Sequence, residues 1–282
     1  MQTLIIVLNG DRIRKMRIPI LQSISCIVLV FSLLLSGCAT GGRQRSSKRP
    51  ADVPERNVQI EDQLKLQRVT AGTIAAVPKN MVPKNVFIIV HPAYSFFLRD
   101  ADKGKLSQAK YDLAKKQFDN EKEAITSQAA AGSVVILVLP GNYGVDSSDP
   151  ISYVAYLNSM LDGGRQIYYV LSETSSTGTL PVNDMVSLHS FLQALKVNKA
   201  KVMIGGGYIG RCQREFYNQL TTYLDTSLAD IVPEISTISP DDISDSEAEA
   251  ISSRLQQQDF TPVKMFVDKK TKDSASVLSM PK

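Results

Sequence analysis

Residues 86–91 read Val-Phe-Ile-Ile-Val-His, and residues 134–139 read Val-Val-Ile-Leu-Val-Leu. β-Branched and aromatic residues of this kind favour extended backbone. Neither run alternates apolar with polar positions, so both faces of each strand are expected to be buried. The pattern predicts strands of a parallel sheet that helices cover on both sides.

Short apolar runs like these alternate along the chain with longer segments of helical period. The predicted strands cover residues 86–91, 134–139, 166–171, 201–204, 230–235 and 263–267. The predicted helices cover residues 106–131, 149–164, about 183–195, about 211–224 and about 239–258. This alternation predicts one doubly wound α/β domain, a three-layer sandwich around a mostly parallel sheet of about six strands. Because right-handed crossovers place every loop that follows a strand at the same edge of the sheet, we expect any site at that carboxyl edge.

An apolar stretch near the N-terminus, residues 18–37, follows the basic residues Arg12, Arg14, Lys15 and Arg17. A basic region followed by an apolar one is typical of a secretory signal peptide. The stretch ends in Leu35-Ser36-Gly37-Cys38, which resembles the lipobox of bacterial lipoproteins. The resemblance implies cleavage before Cys38, lipidation of its thiol and, because Ala39 follows, a place in the outer membrane facing the periplasm. The alternative is an ordinary transmembrane helix, since the stretch could nearly span a bilayer.

The rest of the chain divides by composition. Residues 1–37 form the predicted signal peptide, with Met16 as an alternative start to Met1, and residues 38–57 are small and polar, as in a flexible tether. Residues 58–84 are a transitional segment in which a short helix or strand could form. Residues 85–268 form the predicted α/β domain, and residues 269–282 are expected to be a frayed tail.

The composition is that of a globular protein, with 43% apolar and 21% charged residues. The chain has 32 basic and 28 acidic residues, and the signal peptide removes more bases than acids, so the mature chain is close to neutral. A near-neutral charge excludes the basic field expected of a nucleic-acid-binding protein. The expected partners are the membrane, through the lipid anchor, and either a small anionic ligand or an envelope protein.

Residues 201–213 read Lys-Val-Met-Ile-Gly-Gly-Gly-Tyr-Ile-Gly-Arg-Cys-Gln, a predicted strand that passes through a glycine turn into a helix. Gly205, Gly207 and Gly210 match G-x-G-x-x-G. Backbone N–H groups of such a turn, the helix N-terminus and Arg211 would together bind a phosphate or carboxylate. The competing interpretation is that the glycines serve only a tight turn and close helix packing. The position after the fourth predicted strand argues against a dinucleotide.

Cys212 is the one cysteine outside the signal peptide and the lipobox, so an intrachain disulfide in the mature domain is excluded. It stands at the start of a predicted helix, where the helix N-terminus and Arg211 would lower its pKa. The strand, glycine turn and Cys resemble, over residues 86–235, the nucleophile region of isochorismatase-like cysteine hydrolases, which implies a nucleophilic Cys212. His91, at the end of the first predicted strand, could serve as its base. The competing interpretation is a small buried hydrophobe.

Other polar residues follow the remaining predicted strands, namely Asn142, Tyr143, Glu173, Thr174, Ser175 and Glu234. Two distant histidines and one free cysteine have no ligand spacing, so we expect no metal and no cofactor. The sequence favours a lipid-anchored binding module with its site at the glycine-rich edge. The alternatives are a thiol hydrolase that uses Cys212 and His91, and a structural envelope protein whose site has decayed.

Overall fold

The computed structural model describes residues 61–97, 106–141, 150–161, 165–197 and 201–278. The predicted signal peptide, Cys38, the tether, Asn142 and Tyr143 lie outside the described residues. The described residues all belong to one compact unit, Arg49–Lys282. No helix within them is long and apolar enough to cross a membrane.

Six strands form a single sheet. They are β1 (Gln67–Arg68), β2 (Val86–Val90), β3 (Val134–Leu139), β4 (Ile167–Leu171), β5 (Val202–Gly206) and β6 (Ala229–Ile231). Their order across the sheet is β1-β4-β3-β2-β5-β6, and all neighbouring strands run parallel. The predicted parallel α/β sheet is therefore confirmed.

Helices cover both faces of this sheet. They are α1 (Ala71–Ala75), α2 (Tyr94–Phe97), α3 (Gln108–Ala130), α4 (Pro150–Ser159), α5 (Val182–Ala194), α6 (Cys212–Leu220), α7 (Asp245–Gln256) and α8 (Thr261–Leu278). Phe87 and Ile89 of β2 pack in one apolar cluster with residues of α3 and α4. Ile88 and Val90 pack in another with residues of α5 and α6. Both faces of β2 are thus buried, and the molecule has three layers, as the apolar runs predicted.

The carboxyl edge has a switch in strand order beside β2. The chain passes from β2 to β3 on one side, whereas β5 pairs with β2 on the other side. The two strands are level, because Val86 is paired with Val202 and Val90 with Gly206. The turn that begins at His91 and the turn that begins at Gly207 therefore lie at the same edge, where open α/β sheets bind ligands.

The predicted strand at residues 263–267 is wrong, because this segment lies within helix α8. Val263 and Val267 are buried while Met265 between them is 65% exposed. A strand would place all three on one face, whereas a helix separates Met265 from the other two. Asp259 accepts a hydrogen bond from the Thr261 amide (3.0 Å) at the start of α8. Local capping and the helical period therefore outweigh the β-branched composition.

The strand predicted at residues 230–235 is shorter than expected, and the sixth strand of the sheet comes from another segment. The strand predicted at residues 230–235 ends at Ile231, and Pro233–Ile235 forms a 3-10 turn, because proline lacks the N–H that a sheet requires. The sixth strand comes instead from the transitional segment. There, Gln67 and Arg68 pair with Tyr168 and Tyr169 of β4.

The C-terminal part is more helical than predicted. Helix α7 begins at Asp245, with Ser244 and Glu247 forming a capping box, whereas Ser239 caps only the short turn Pro240–Asp242. The predicted frayed tail after Asp268 is wrong as far as Leu278, where α8 ends. A third apolar cluster joins these helices to α3 and to the glycine turn; it contains Leu113, Ile209, Ile238, Ile243, Ala248, Leu255, Val263 and Val267. The C-terminal helices therefore pack against the glycine turn.

Candidate functional site

His91 directly follows the central strand β2 and is completely buried. Its φ is 44°, and φ of Ala93 is 56°, so two residues with side chains adopt the left-handed region within one turn. Such backbone is costly for residues other than glycine and clusters at functional sites. The His91 amide donates to the Val138 carbonyl (2.8 Å), which extends the bonding between β2 and β3. The turn is thus held in a strained form at the switch point.

The His91 ring is directed by Ser172, which follows β4. Nε2 of His91 lies 2.9 Å from Oγ of Ser172. The Ser172 hydroxyl lies 2.7 Å from the Thr174 carbonyl, to which it donates, so Oγ accepts the Nε2–H. Burial lowers the pKa of His91 to about 3, and the imidazole is neutral at physiological pH. This hydrogen bond directs the ring toward the β4 side, whereas Cys212 follows β5.

Cys212 begins helix α6 and is buried in the apolar cluster with Val90 and Phe216. Its Sγ accepts a hydrogen bond from the Tyr208 amide (3.2 Å). Burial raises the pKa of the thiol to about 11, and this effect exceeds the opposing effect of backbone hydrogen bonds. Backbone amides at the start of α6 lower this pKa, as expected, but burial outweighs them, and Arg211 is not among the causes of the shift. Cys212 has the environment of an inert, buried thiol.

The glycines of the motif are needed for close packing. A Cβ at Gly205 would overlap Ile235, one at Gly207 would lie 3.0 Å from the Cys212 sulfur, and one at Gly210 would lie 3.1 Å from the Lys270 side chain. Gly206, at the variable position between the first two motif glycines, has a φ of 68°, and a Cβ there would overlap the Val90 carbonyl oxygen. The turn requires glycine for its own geometry, which agrees with the packing interpretation.

Several backbone amides of this turn are already used within the protein. The Ile209 amide donates to the Thr237 carbonyl (2.9 Å), and the Arg211 amide donates to the Tyr208 carbonyl (3.0 Å). The Tyr208 amide donates to the Cys212 sulfur. Nε2 of Gln213 donates to the Gly206 carbonyl and to Ser236 Oγ, both at 2.8 Å. These donors therefore do not form a cradle for an anion.

Arg211 pairs with acidic residues of the protein. Its guanidinium lies 2.8 Å from Asp242 and 3.8 Å from Asp241, both in the turn that precedes α7. Lys270 of α8 also lies 3.8 Å from Asp242. We call residues 205–213 and the facing residues 236–242 the glycine-loop half of the edge. In this half, the charge predicted to attract an anion is balanced by carboxylates.

The other polar residues predicted for the edge are more scattered. Glu173 is exposed and accepts a hydrogen bond from Thr179 Oγ1 (3.1 Å). Ser175 is buried, and Thr174 contributes its carbonyl to Ser172. Glu234 is exposed on the 3-10 turn instead of ending a strand. Of the predicted site residues that the structure describes, His91 and the glycine turn meet at the switch point.

A group of buried polar residues near the edge was not predicted. Glu121 of α3 is buried, and its Oε1 accepts a hydrogen bond from the strained Ala93 amide at 2.7 Å. Burial raises the pKa of Glu121 to about 8. Gln117, one turn earlier on the same helix face, is 5% exposed. Tyr156 of α4 is buried, and its pKa is raised by burial and by the negative charge of Glu121.

We call residues 91–93, Gln117, Glu121, Tyr156 and Ser172 the Glu121 half of the edge. Within the part of the chain that the structure describes, both amide atoms of Gln117 and the Tyr156 hydroxyl lack hydrogen-bond partners. Buried polar atoms of this kind are rare in native proteins. The sequence carries a faint signal, since Leu113, Gln117, Glu121 and Ile125 recur at every fourth position and the two polar residues interrupt an apolar stripe.

Among the described residues, no group of three or more His, Cys, Asp or Glu could hold a metal ion. No protein family, curated protein or solved structure matches this chain. Among the described residues, the edge contains a neutral imidazole, an uncharged thiol and a carboxyl group whose pKa is raised by burial.

Proposed function

We propose that the chain is a lipid-anchored envelope protein whose α/β domain is a binding module with its site at the carboxyl edge of the sheet. The anchor is supported by the lipobox-like Leu35-Ser36-Gly37-Cys38 after an apolar stretch. The binding site is supported by one observation, the pair of left-handed residues His91 and Ala93 at the switch point beside β2. The ligand is a small molecule or an envelope partner, and the anchored membrane is the outer one, facing the periplasm.

The thiol hydrolase alternative lacks an activated nucleophile. The thiol of Cys212 has a raised pKa, and the His91 ring is hydrogen-bonded to the Ser172 hydroxyl. A nucleophilic cysteine needs a lowered pKa or a base within hydrogen-bond reach. The geometry therefore favours binding over covalent chemistry.

The anchor is tested by mass spectrometry of the chain recovered from bacterial membranes. Processing should give a chain that starts at a diacylglycerol-modified Cys38, and Cys38→Ser should abolish both cleavage and labelling by radioactive palmitate. Cys26→Ser, which changes a cysteine inside the signal segment, is the matched control and should be processed normally. Recovery of a chain that retains residues 1–37 would support a transmembrane helix and contradict the proposal.

Binding is tested by thermal unfolding of the lipidated full chain in detergent. The probes are inorganic phosphate, citrate and ethylammonium, each at the same ionic strength. A rise in Tm that saturates with probe concentration supports a binding module, because a ligand that binds only the folded state stabilises it, whereas stabilisation by excluded phosphate or citrate does not saturate. No rise with any of them would contradict small-molecule binding.

A further inference from the structure

The Glu121 half of the edge buries a carboxyl group beside two polar groups that have no hydrogen-bond partner among the described residues. Glu121 is 2% exposed and uses Oε1 to accept the Ala93 amide. Gln117 lies one helical turn away on the same face of α3, and residues spaced by four on a helix are neighbours. The Tyr156 ring centroid lies 5.2 Å from that of Phe118, which places Tyr156 against the same part of α3.

Each of these three groups can accept a hydrogen bond. Glu121 offers its second carboxyl oxygen, Gln117 offers Oε1, and Tyr156 offers its hydroxyl oxygen. In the described part of the chain, no Lys, Arg or His forms an ion pair with Glu121. A buried carboxylate is costly without a cation.

Aromatic rings pack around Tyr156. Phe97 lies 5.1 Å from Tyr156 and 6.0 Å from Phe118, measured between ring centroids. Tyr153 lies 6.4 Å from Tyr156 and donates its hydroxyl to the Pro92 carbonyl. Aromatic faces attract organic cations, and Lys122 already places its Nζ 6.0 Å from the Tyr156 centroid.

We infer that Glu121, Gln117 and Tyr156 form a binding site for the ammonium group of a small organic amine. An ammonium group has three donors, which match the three acceptors, and one positive charge, which matches Glu121. An anionic ligand does not fit, because these three side chains provide no cation. This inference rests on the proposal that the domain is a binding module, and it names the class of ligand for the Glu121 half.

The carboxyl group should titrate in the range where binding is measured. Titratable or charged side chains on the surrounding elements are His91 beside β2, Tyr153 and Tyr156 on α4, Glu234 on the 3-10 turn, Asp245, Glu247, Glu249 and Arg254 on α7, and, on α3 itself, Lys110, Tyr111, Asp112, Lys115, Lys116, Asp119, Lys122 and Glu123. Because burial raises the pKa of Glu121 to about 8, the carboxyl is mostly protonated at pH 6 and mostly ionised at pH 9. A simple amine stays protonated at both pH values.

The test is isothermal titration of the lipidated full chain with ethylammonium, with acetamide as a neutral probe of similar size. We expect ethylammonium to bind about 100-fold more tightly at pH 9 than at pH 6, since the ionised fraction of Glu121 changes by about that factor. Glu121→Gln should abolish the binding, and Tyr156→Phe should weaken it. Glu123→Gln, which changes an exposed carboxyl on the same helix, should leave it unchanged.

Three results would overturn the inference. They are binding of acetamide as tight as that of ethylammonium, binding that does not depend on pH, and no binding of ethylammonium to the wild-type chain. Circular dichroism melting checks that each variant is folded. If Glu121→Gln does not fold, the effect of Tyr156→Phe on ethylammonium binding tests the inference instead. The two proposals can fail separately. If the chain is processed at Cys38 and binds phosphate or citrate but no amine, the proposed function stands and the amine site is excluded.

Discussion

The two halves of the carboxyl edge treat their polar groups differently. In the glycine-loop half, turn amides donate to neighbouring groups of the chain, Arg211 pairs with Asp242, and C-terminal helices cover Ile209. In the Glu121 half, a carboxyl is buried without an ion-pair partner among the described residues, next to a strained turn. Most polar groups of the half that carries a recognisable sequence motif are thus paired within the protein, although Gln213 Oε1 is buried without a hydrogen-bond partner among the described residues. The half with no motif holds the groups that a ligand would complete.

The largest expected effect comes from breaking the glycine-loop half at Gly206. Gly206→Ala should lower the free energy of unfolding by about 3 kcal/mol, because the new Cβ overlaps the Val90 carbonyl oxygen at a positive φ. Gly132→Ala is the matched control, since Gly132 has a φ of 81° but nothing within 4 Å of the added Cβ. It should cost about 1 kcal/mol. Urea unfolding measures both, and equal losses would show that the turn at Gly206 is not tightly packed.

The reactivity of Cys212 gives the next largest effect. The raised thiol pKa and burial should make alkylation by iodoacetamide at pH 7.5 about 100-fold slower in the native chain than in urea. Peptide mass spectrometry measures the alkylation of Cys212, and the Cys212→Ala variant gives the background signal. Fast alkylation of the native chain would contradict an inert thiol and would favour the hydrolase alternative.

The pH dependence of stability distinguishes Glu121 from His91. The pKa of Glu121 is raised from 4.5 to about 8, so the folded state holds this proton more tightly and stability falls as pH rises through that interval. The pKa of His91 is lowered from 6.5 to about 3, so its contribution to stability is lost as pH falls from 6.5 to 3. The two effects oppose each other between pH 4.5 and 6.5, and above that interval only the effect of Glu121 remains.

We therefore expect the free energy of unfolding to fall by about 2 kcal/mol between pH 6.5 and 8, at up to about 1.4 kcal/mol per pH unit. Glu121→Gln should remove this decline, and Glu123→Gln should keep it. Urea unfolding at a series of pH values measures the slope. An equal slope in wild type and Glu121→Gln would show that Glu121 has an ordinary pKa.

The smallest expected effect is at Arg211. Its ion pairs are about half exposed, so Arg211→Ala should cost about 1 kcal/mol or less. Lys201→Ala, which breaks the exposed pair with Asp230, is a comparable control. Thermal shift with phosphate should be the same in wild type and Arg211→Ala. Loss of a phosphate response in Arg211→Ala would restore the glycine-loop half as an anion site.

Much of the fold was predictable because its signals are local. The runs at residues 86–90 and 134–139 are apolar on both faces, and they form β2 and β3. The prediction of a strand at residues 263–267 is wrong because Val263 and Val267 fit either a strand or a helix, and only the exposure of Met265 separates the two. β1 has only two residues, one of them Arg68, and its place depends on pairing with β4 rather than on composition.

The site was predictable in position but not in chemistry. Parallel pairing of β2 with β5 brings His91 and the glycine turn to one edge, as the topology predicted. The sequence does not show the hydrogen bond between His91 and Ser172, because the orientation of the His91 ring depends on a backbone conformation unusual for histidine. The sequence signal at Glu121 is weak, because α3 is rich in charged residues and a single buried carboxyl among exposed ones has no periodic signature strong enough to separate it.

The most direct test of the difference between the two halves is an NMR titration of the Glu121 side-chain carboxyl in the ligand-free chain, assigned by comparison with Glu121→Gln. We predict a titration midpoint near pH 8, because the carboxyl is buried, accepts a hydrogen bond from the Ala93 amide and has no ion-pair partner among the described residues. A midpoint near pH 4.5 would show a solvated or ion-paired carboxyl and would contradict a buried binding site in this half of the edge.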